Sequence, residues 1–137
     1  MEEIIYSIEK SLDPDEFIEV LKTSTLAERR PVDDEQRMTS MCNNANLIIT
    51  ARLNGRLIGL ARSITDFVYC TYLSDLAVDI SYQKTGIGKQ LIKETKNAAP
   101  QAKLILLSAP AVTDYYPKIG MKKHNYCFYI DDVKELK

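Results

Sequence analysis

The spacing of apolar and polar residues in the first third of the chain predicts one strand and two helices. Residues 3–8 alternate enough to indicate a strand. Asp13 followed by Pro14 predicts the start of a helix, because proline is favoured at the first helical position. The side chains expected on its buried face are Phe17, Ile18 and Leu21. After a charged break, a second and weaker helix is predicted to begin at Asp33 and to end near residues 43–44.

The middle of the chain has the pattern of consecutive antiparallel strands. Two apolar runs, 47–53 and 57–64, flank an Asn-Gly pair at 54–55. This pair is a strong hairpin signal, because both central positions of a type I′ turn need a positive φ. A turn at 66–67 and a third run at 69–78, rich in aromatic and β-branched residues, extend the meander to three strands.

The last third of the chain predicts two helices and two strands. After Gly88 the pattern becomes helical, and Pro100 ends it. One face of this helix is expected to carry Ile87, Leu91, Ile92 and Thr95. Residues 103–108 form a short continuous apolar run, which is typical of a fully buried strand. A last helix is predicted from Pro110 to near Gly120, and a closing strand at 126–130.

The resulting order, β-α-α-β-β-β-α-β-α-β, predicts an α/β fold with a mixed, mostly antiparallel sheet flanked by helices. The chain of 137 residues has no internal repeat, low-complexity tract or linker-like stretch. We therefore expect residues 1–137 to form a single domain, long enough to bury a core without disulfides or metals.

Composition and charge exclude several classes of function. Eighteen basic and nineteen acidic side chains give a net charge of −1, which argues against a nucleic-acid partner. The N-terminus does not resemble a signal peptide, and no segment approaches the roughly 20 apolar residues that span a bilayer. Three distant cysteines indicate reduced thiols in a cytoplasmic protein. The single histidine, His124, cannot build a histidine metal site, so no metal is expected. His124 is expected on a surface strand. A homo-oligomer is compatible with the sequence, but no feature selects one.

A glycine-rich turn suits a phosphate group. Residues 76–89 run from a strand through a short loop and the turn into a helix. Glycines let backbone N–H groups converge on an anion, and a helix N-terminus adds unpaired donors and a favourable dipole. Lys84 and Lys89 add positive charge.

Three interpretations of this turn compete. A Walker A loop requires Ser or Thr after Gly-Lys, where this chain has Gln90, and a dinucleotide fingerprint requires a third glycine where Leu91 stands. The remaining alternative to a phosphate site is that Gly86 and Gly88 only make a tight connection between strand and helix. Glycine spacing alone leaves this alternative open.

Two longer motifs give the chain a family resemblance. Leu76-Ala77-Val78 with Gln83-Lys84-Thr85-Gly86-Ile87-Gly88 resembles the central motif of the GCN5-related N-acetyltransferase (GNAT) family. The segment Tyr115-Tyr116-Pro117-Lys118-Ile119-Gly120-Met121 resembles that family's second signature. The motifs stand in the family's order, about thirty residues apart, and the predicted element order fits the same fold.

The resemblance implies an enzyme that acetylates a primary amine with acetyl-CoA as co-substrate. It implies that the backbone of Leu76, Ala77 and Val78 pairs with the pantetheine arm, in a slot where this strand splays from the strand at 103–108. It further implies that Tyr116 protonates the departing CoA thiolate, a role that suits a phenol. The residues implied to hold the pyrophosphate are Gln83, Lys84, Thr85, Gly86, Ile87, Gly88 and Lys89.

The sequence departs from the family pattern at the expected base. Several branches of the family carry Glu-Asp before Leu-Ala-Val, where this chain has Ser74-Asp75. A serine hydroxyl is not a base at neutral pH. Asp75 as base, Asp75 as a structural carboxylate, a water chain from Ser74 and capture of free amine all stay open. The family's usual asparagine near the last helix is also replaced, by Ala109.

The acceptor is not identified by the sequence. Candidate residues lining its site are Arg29, Arg30, Arg62, Asp66, Tyr69 and Tyr72. The missing glutamate at position 74 leaves a second hypothesis from another class, in which the chain is a catalytically weak or silent acyl-CoA-binding sensor or partner module. A plain structural domain is the third.

Overall fold

The computed structural model describes residues 3–137. Its internal contacts divide the chain into two compact units. The first, here called the sheet unit, ends at Leu107, and the second, the C-terminal unit, begins at Ser108.

The sheet unit is built on five strands whose spatial order follows the chain order. They are β1 (Ile4–Ile8), β2 (Leu47–Leu53), β3 (Arg56–Thr65), β4 (Cys70–Val78) and β5 (Lys103–Ile105). Neighbours from β1 to β4 are antiparallel, and β4 pairs with β5 in parallel. This confirms the predicted mixed, mostly antiparallel sheet. The turn at Asn54 and Gly55 has φ angles of 51° and 82°, as the hairpin signal required.

Within residues 3–137, the sheet unit contains the α-helices α1 (Pro14–Thr23), α2 (Glu35–Asn44) and α3 (Ile87–Ala98), and the C-terminal unit contains α4 (Tyr115–Lys118). The Asp13 carboxylate caps α1 by accepting the Asp15 N–H at 2.9 Å, as predicted. The cap of α2 is Asp34, one residue after the predicted start. The buried face of α1 also differs in one position, because Val20 is fully buried and Ile18 only half-buried.

The sheet has an apolar core on each face. Residues of α1 and α2 pack on one face, in a cluster that includes Phe17, Val20, Leu21, Met38, Leu60 and Ala77. Residues of α3 pack on the other face, in a cluster that includes Ile49, Ala61, Leu73, Ile87 and Leu91. β4 contributes to both cores, with Leu73 packed on the side of α3 and Ala77 on the side of α1 and α2.

The strand predicted at 103–108 is shorter and less buried than expected. β5 covers only Lys103–Ile105, and its side chains are exposed, half-buried and exposed in turn. The prediction of a fully buried strand was therefore wrong. A continuous apolar run suggests cover on both faces, but β5 pairs only with β4 and only over three residues.

Two predictions for the C-terminal unit were also wrong. The helix predicted over 110–120 is broken into a 3₁₀ turn at Pro110–Val112 and the four-residue α4. Val112 and Thr113 are weak helix formers, and Pro117 lacks the N–H that would bond the carbonyl of Thr113. Residues 126–130 are exposed and form no strand among the described residues, since strand propensity alone does not supply a pairing partner.

An ion-pair network ties β1, α1 and β2 together. Arg52 contacts Glu9 at 2.8 Å and Glu16 at 2.7 Å, and Thr50 donates its hydroxyl to Glu9. These hydrogen bonds lower the pKa of Glu9, chiefly through Arg52. We expect Glu9→Gln to lower the free energy of unfolding by about 1–2 kcal/mol at pH 7, because a charge-assisted pair is lost.

The pH dependence of this loss follows from the sign of the shift. A lowered carboxyl pKa stabilises the fold above the ordinary value of 4.5, and the stabilisation disappears as the pH falls through the lowered value. Urea unfolding should show a larger difference between Glu9→Gln and the wild type at pH 7 than at pH 3. Glu19→Gln, at an exposed position of α1, is the control and should unfold like the wild type.

Candidate active site

One edge of β4 is open along two-thirds of its length. On one side β4 pairs with β3 as far as Val78, whereas on the other its pairing with β5 ends at Tyr72 opposite Ile105. From Leu73 to Val78, β4 therefore has a strand partner on one side only among residues 3–137. This open edge of β4, here called the slot, lies where the family resemblance implied that the strand splays from the strand at 103–108.

The alternation of hydrogen bonds shows which groups face this slot. The Asp79 N–H donates to the Ile58 carbonyl of β3 at 2.8 Å. In an antiparallel pair, residues bonded to the neighbour alternate with residues whose N–H and C=O point away. Ala77 therefore turns its backbone groups towards β3, while Leu76 and Val78 present theirs to the slot. Of the three residues predicted to pair with a pantetheine arm, two have the required orientation.

The segment from Gln83 to Lys89, here called the phosphate turn, joins β4 to α3. Lys84 and Gly86 have φ angles of 64° and 92°, so the backbone twice takes the left-handed conformation before α3 begins. No acceptor among residues 3–137 bonds the backbone N–H groups of 84–89. Successive unpaired N–H groups around left-handed residues at a helix start form an anion-binding concavity.

Several contacts hold the phosphate turn in place. The Gln83 side-chain amide donates to the Val78 carbonyl at 2.9 Å, and the Thr85 hydroxyl donates to the Tyr82 carbonyl at 2.5 Å. Ile87 is buried in the core and anchors the first turn of α3. The Gly86 carbonyl accepts the Gln90 N–H at 3.0 Å. Residues 83–86 remain exposed, so the unpaired donors are accessible.

Asp75 lies fully buried between two arginines. One of its carboxylate oxygens accepts the Nε–H of Arg30 and the other accepts the Nε–H of Arg62. Arg62 is itself buried, and its guanidinium lies over the ring of Phe17 at 5.8 Å. We call these residues the Arg30–Asp75–Arg62 cluster. Both oxygens of Asp75 are occupied, an arrangement typical of a structural carboxylate.

Ser74 connects this cluster to the slot. The register of β4 against β3 shifts beside Ser74, where β4 carries one extra residue. The Ser74 hydroxyl accepts a hydrogen bond from Arg62 Nη2 at 3.0 Å, and its carbonyl accepts one from Arg30 Nη2 at 2.8 Å. Because a guanidinium only donates, the hydroxyl proton of Ser74 is left to donate elsewhere.

Tyr116 lies in α4 of the C-terminal unit. Its side chain is half-buried, and its hydroxyl has no hydrogen-bond partner among the described residues. Burial, with a smaller contribution from Tyr115, raises the pKa of Tyr116 above its usual value of 10.0. The phenol therefore stays protonated at neutral pH and can serve only as a proton donor there.

The other candidates from the sequence have different surroundings. Arg29 and Tyr69 are exposed, whereas Arg30 and Arg62 bind Asp75. His124 is exposed as expected but lies outside any strand, and its Nδ1 accepts the Tyr126 N–H at 2.9 Å. All three cysteines are free, and no cluster of metal-ligating side chains occurs within residues 3–137. No helix in that range is long and apolar enough to cross a membrane.

Sequence reasoning missed two contributors to this site. The tie between the Gln83 amide and Val78, and the pairing of Arg30 with Asp75, both join residues from separate elements. For the pairing of Arg30 with Asp75, the only signal in the sequence was the opposite charge of the two residues.

Comparisons with known proteins find similar sequences and structures. Residues 15–134 match the family described as "Acetyltransferase (GNAT) domain". Over 70 residues, 49% of this chain, the sequence is 31% identical to GCN5-related N-acetyltransferase 2, chloroplastic, from Arabidopsis thaliana. The match spans only 27% of that longer relative.

Solved structures of low sequence identity share the fold. A GNAT family acetyltransferase from Streptococcus pneumoniae TIGR4 has a TM-score of 0.74 at 17% identity, covering 94% of this chain and 98% of the other. Aminoglycoside N-acetyltransferase AAC(6')-Iy, in complex with CoA, has a TM-score of 0.74 at 14% identity, covering 97% of both chains.

Proposed function

This chain belongs to the GNAT family of acetyltransferases, and we propose that it transfers the acetyl group of acetyl-CoA to a primary amine. The observation that carries the proposal is the phosphate turn, with its unpaired N–H groups from 84 to 89 at the start of α3. Such a turn binds a diphosphate mainly through its backbone, which suits a chain of net charge −1. The donors, their exposure and the open space at Gly86 fit the pyrophosphate of CoA.

We assign the remaining contacts of the co-substrate to the open edge of β4. The N–H and C=O groups of Leu76 and Val78 pair with the amides of the pantetheine arm, as an added strand pairs with a sheet edge. Ala77 contributes its side chain to the core and does not contribute these polar groups. Lys84 and Lys89 supply charge beside the phosphates.

The proton transfers of the reaction are assigned to groups of this chain and to solvent. Acetyl-CoA supplies the acetyl group as a thioester. The amine nitrogen forms the new C–N bond while the C–S bond breaks, and Tyr116 donates its phenolic proton to the leaving sulfur. Because both oxygens of Asp75 are occupied and the Ser74 hydroxyl is not a base at neutral pH, we propose that the enzyme captures the neutral fraction of the amine. The proton lost by the new amide nitrogen passes to solvent.

We further propose that residues 1–137 act as one acetyltransferase domain in the cytoplasm. The family match at 15–134 extends across both units and supports a single domain. The three free cysteines agree with a cytoplasmic location.

A second candidate function is an acyl-CoA-binding module with little catalysis. It is favoured by Ser74 in place of the family's glutamate and by the full occupation of Asp75. Calorimetric titration with CoA and acetyl-CoA, followed by a screen of amines for release of free thiol, separates the two. Binding without thiol release supports the module, and absence of binding contradicts both.

Gly86→Val is expected to weaken the binding of acetyl-CoA about 10-fold to 100-fold. The left-handed φ of 92° disfavours a β-branched residue by roughly 1–2 kcal/mol, and its side chain would project into the open space before α3. Isothermal titration of the variant measures the loss of affinity.

Gly55→Val is the matched control, because Gly55 also has a positive φ and nothing within 4 Å of the added Cβ, but lies in the β2–β3 turn. It should lose similar stability and keep its affinity for acetyl-CoA. Equal affinities in the two variants would remove the phosphate turn from the binding site.

A further inference from the structure

Three exposed apolar side chains form a row across the sheet. Ile64 of β3 lies opposite Tyr72 of β4, and Tyr72 lies opposite Ile105 of β5. Partners in register point to the same face, so these residues, here called the apolar row, are neighbours on three adjacent strands. Their exposed fractions are 51%, 36% and 42%. Contiguous apolar surface of this kind marks binding sites more often than isolated exposed residues do.

The apolar row lies at the closed end of the slot. Tyr72 and Ile105 are the last residues at which β4 and β5 pair, and the slot begins at Leu73. The phosphate turn follows the opposite end of β4, after Val78. A ligand held by its pyrophosphate at the turn and extended along β4 therefore points its far end towards Ser74 and the apolar row.

A strained turn places more apolar side chains at the same end of β3 and β4. Phe67 has a φ of 68°, which is costly for a bulky residue and is found mostly where surroundings impose it. The Asp66 carboxylate imposes it here by accepting the N–H groups of Val68, Tyr69 and Cys70 at 3.0, 2.8 and 3.0 Å. The side chains that this turn leaves exposed are Phe67, Val68 and Tyr69.

The buried charge on this face is positive. Arg62 lies two residues before Ile64 on β3, so the Arg30–Asp75–Arg62 cluster shares a face with the apolar row. The cluster has two guanidinium groups and one carboxylate, and no other carboxylate within residues 3–137 pairs with either arginine. The Met41 carbonyl near the end of α2 accepts a hydrogen bond from Arg62 Nη1 at 3.2 Å and offsets only part of the excess positive charge. A positive excess in a buried cluster disfavours a polycation nearby.

Building on the proposed acetyl transfer, we propose that the acceptor is a monoamine with an apolar body that lies on the apolar row, and not a polycationic amine such as an aminoglycoside. The row binds the body of the acceptor, and Ser74 lies close to it at the start of the slot. The positive cluster also favours the neutral form of the amine, which is the form that attacks.

A homologous series of amines tests the inference through thiol release. Ethylamine, butylamine and hexylamine differ only in apolar length, and each methylene buried on the row should raise kcat/KM about 4-fold. Spermidine and kanamycin should be at least about 10-fold poorer substrates than hexylamine. Equal kcat/KM values for the three alkylamines, or a preference for spermidine or kanamycin, overturn the inference.

Substitutions in the row locate the effect. Ile64→Ser and Ile105→Ser change exposed positions and should raise KM for hexylamine about 5-fold to 10-fold, because part of the apolar contact is lost. KM for ethylamine and for acetyl-CoA should stay unchanged. Ile5→Ser, at a position of β1 that is 53% exposed, is the matched control and should leave all three values unchanged. If both row variants behave like Ile5→Ser, the row does not bind the acceptor.

Failure of the proposed function gives a different result. If no amine releases thiol, acetyl transfer is contradicted, and the row is then tested by titrating N-hexylacetamide and N-ethylacetamide into the protein with CoA. Tighter binding of the hexyl compound, lost in Ile64→Ser, supports the apolar site. Equal or undetectable binding of the two compounds overturns it.

Discussion

Tyr116→Phe is expected to lower kcat by about 10²–10⁴-fold while leaving the affinity for acetyl-CoA unchanged. The substitution removes the hydroxyl that donates a proton to the leaving sulfur, and general-acid catalysis typically contributes this much. The ring remains, so the edge-to-face contact with Tyr115, at a centroid distance of 5.2 Å, is preserved. Steady-state rates from thiol release, together with calorimetric affinities, separate the two effects.

Tyr115→Phe is the control for this prediction. The two tyrosines are adjacent in α4 and both are half-buried, so each variant loses one hydroxyl from the same helix. We expect Tyr115→Phe to keep kcat within about 3-fold of the wild type. If both variants lose activity equally, the hydroxyl of Tyr116 has no special role.

The pH profile provides a second test of the same role. Because the pKa of Tyr116 is raised above 10.0, the acid stays protonated through the neutral range, and activity should fall from its deprotonation only above pH 10. This alkaline limb should be absent from the residual activity of Tyr116→Phe. A limb that persists in the variant belongs to another group.

The sequence predicted those parts of the fold that depend on local patterns. The hairpin at Asn54 and Gly55, the Asp13 cap of α1 and the start of α3 each rest on the conformational preference of one or two residues. The phosphate turn belongs to the same class, because its left-handed Gly86 and its position before a helix can be predicted from the spacing of the glycines and the helical pattern that follows. These are properties that a residue keeps in most contexts.

The failures concern elements whose state depends on distant partners. The apolar run at 103–108 suggested a fully buried strand, but its pairing with β4 stops after three residues, where the slot begins. Residues 126–130 are rich in strand-forming residues and are unpaired among the described residues. The surroundings of Asp75 could not be predicted either, because Arg30 stands 45 residues before it in sequence. Strand propensity and charge do not specify partners.

Asp75→Ala is expected to lower the free energy of unfolding by about 3–5 kcal/mol, because it leaves two guanidinium charges without their shared carboxylate. Asp75 and Arg62 are both buried, so water does not replace the lost interaction. Urea unfolding at pH 7 measures the change. Asp79→Ala is the comparison, since Asp79 is also buried but its partner Arg56 is largely exposed and lies 3.1 Å away. Asp79→Ala should lower the free energy of unfolding by less, at about 1–2 kcal/mol.

A double substitution separates the structural role of Asp75 from a catalytic one. Removing one charge in Arg30→Gln/Asp75→Ala should recover about 1–2 kcal/mol relative to Asp75→Ala, because only Arg62 then remains unpaired. Arg30 is the suitable partner, since its side chain is 21% exposed and its replacement disturbs the core least. If Asp75 is structural, kcat per folded molecule in the double variant stays within about 10-fold of the wild type. A loss of 10²-fold or more with the stability restored would identify Asp75 as the general base, because removing an essential base costs at least that much.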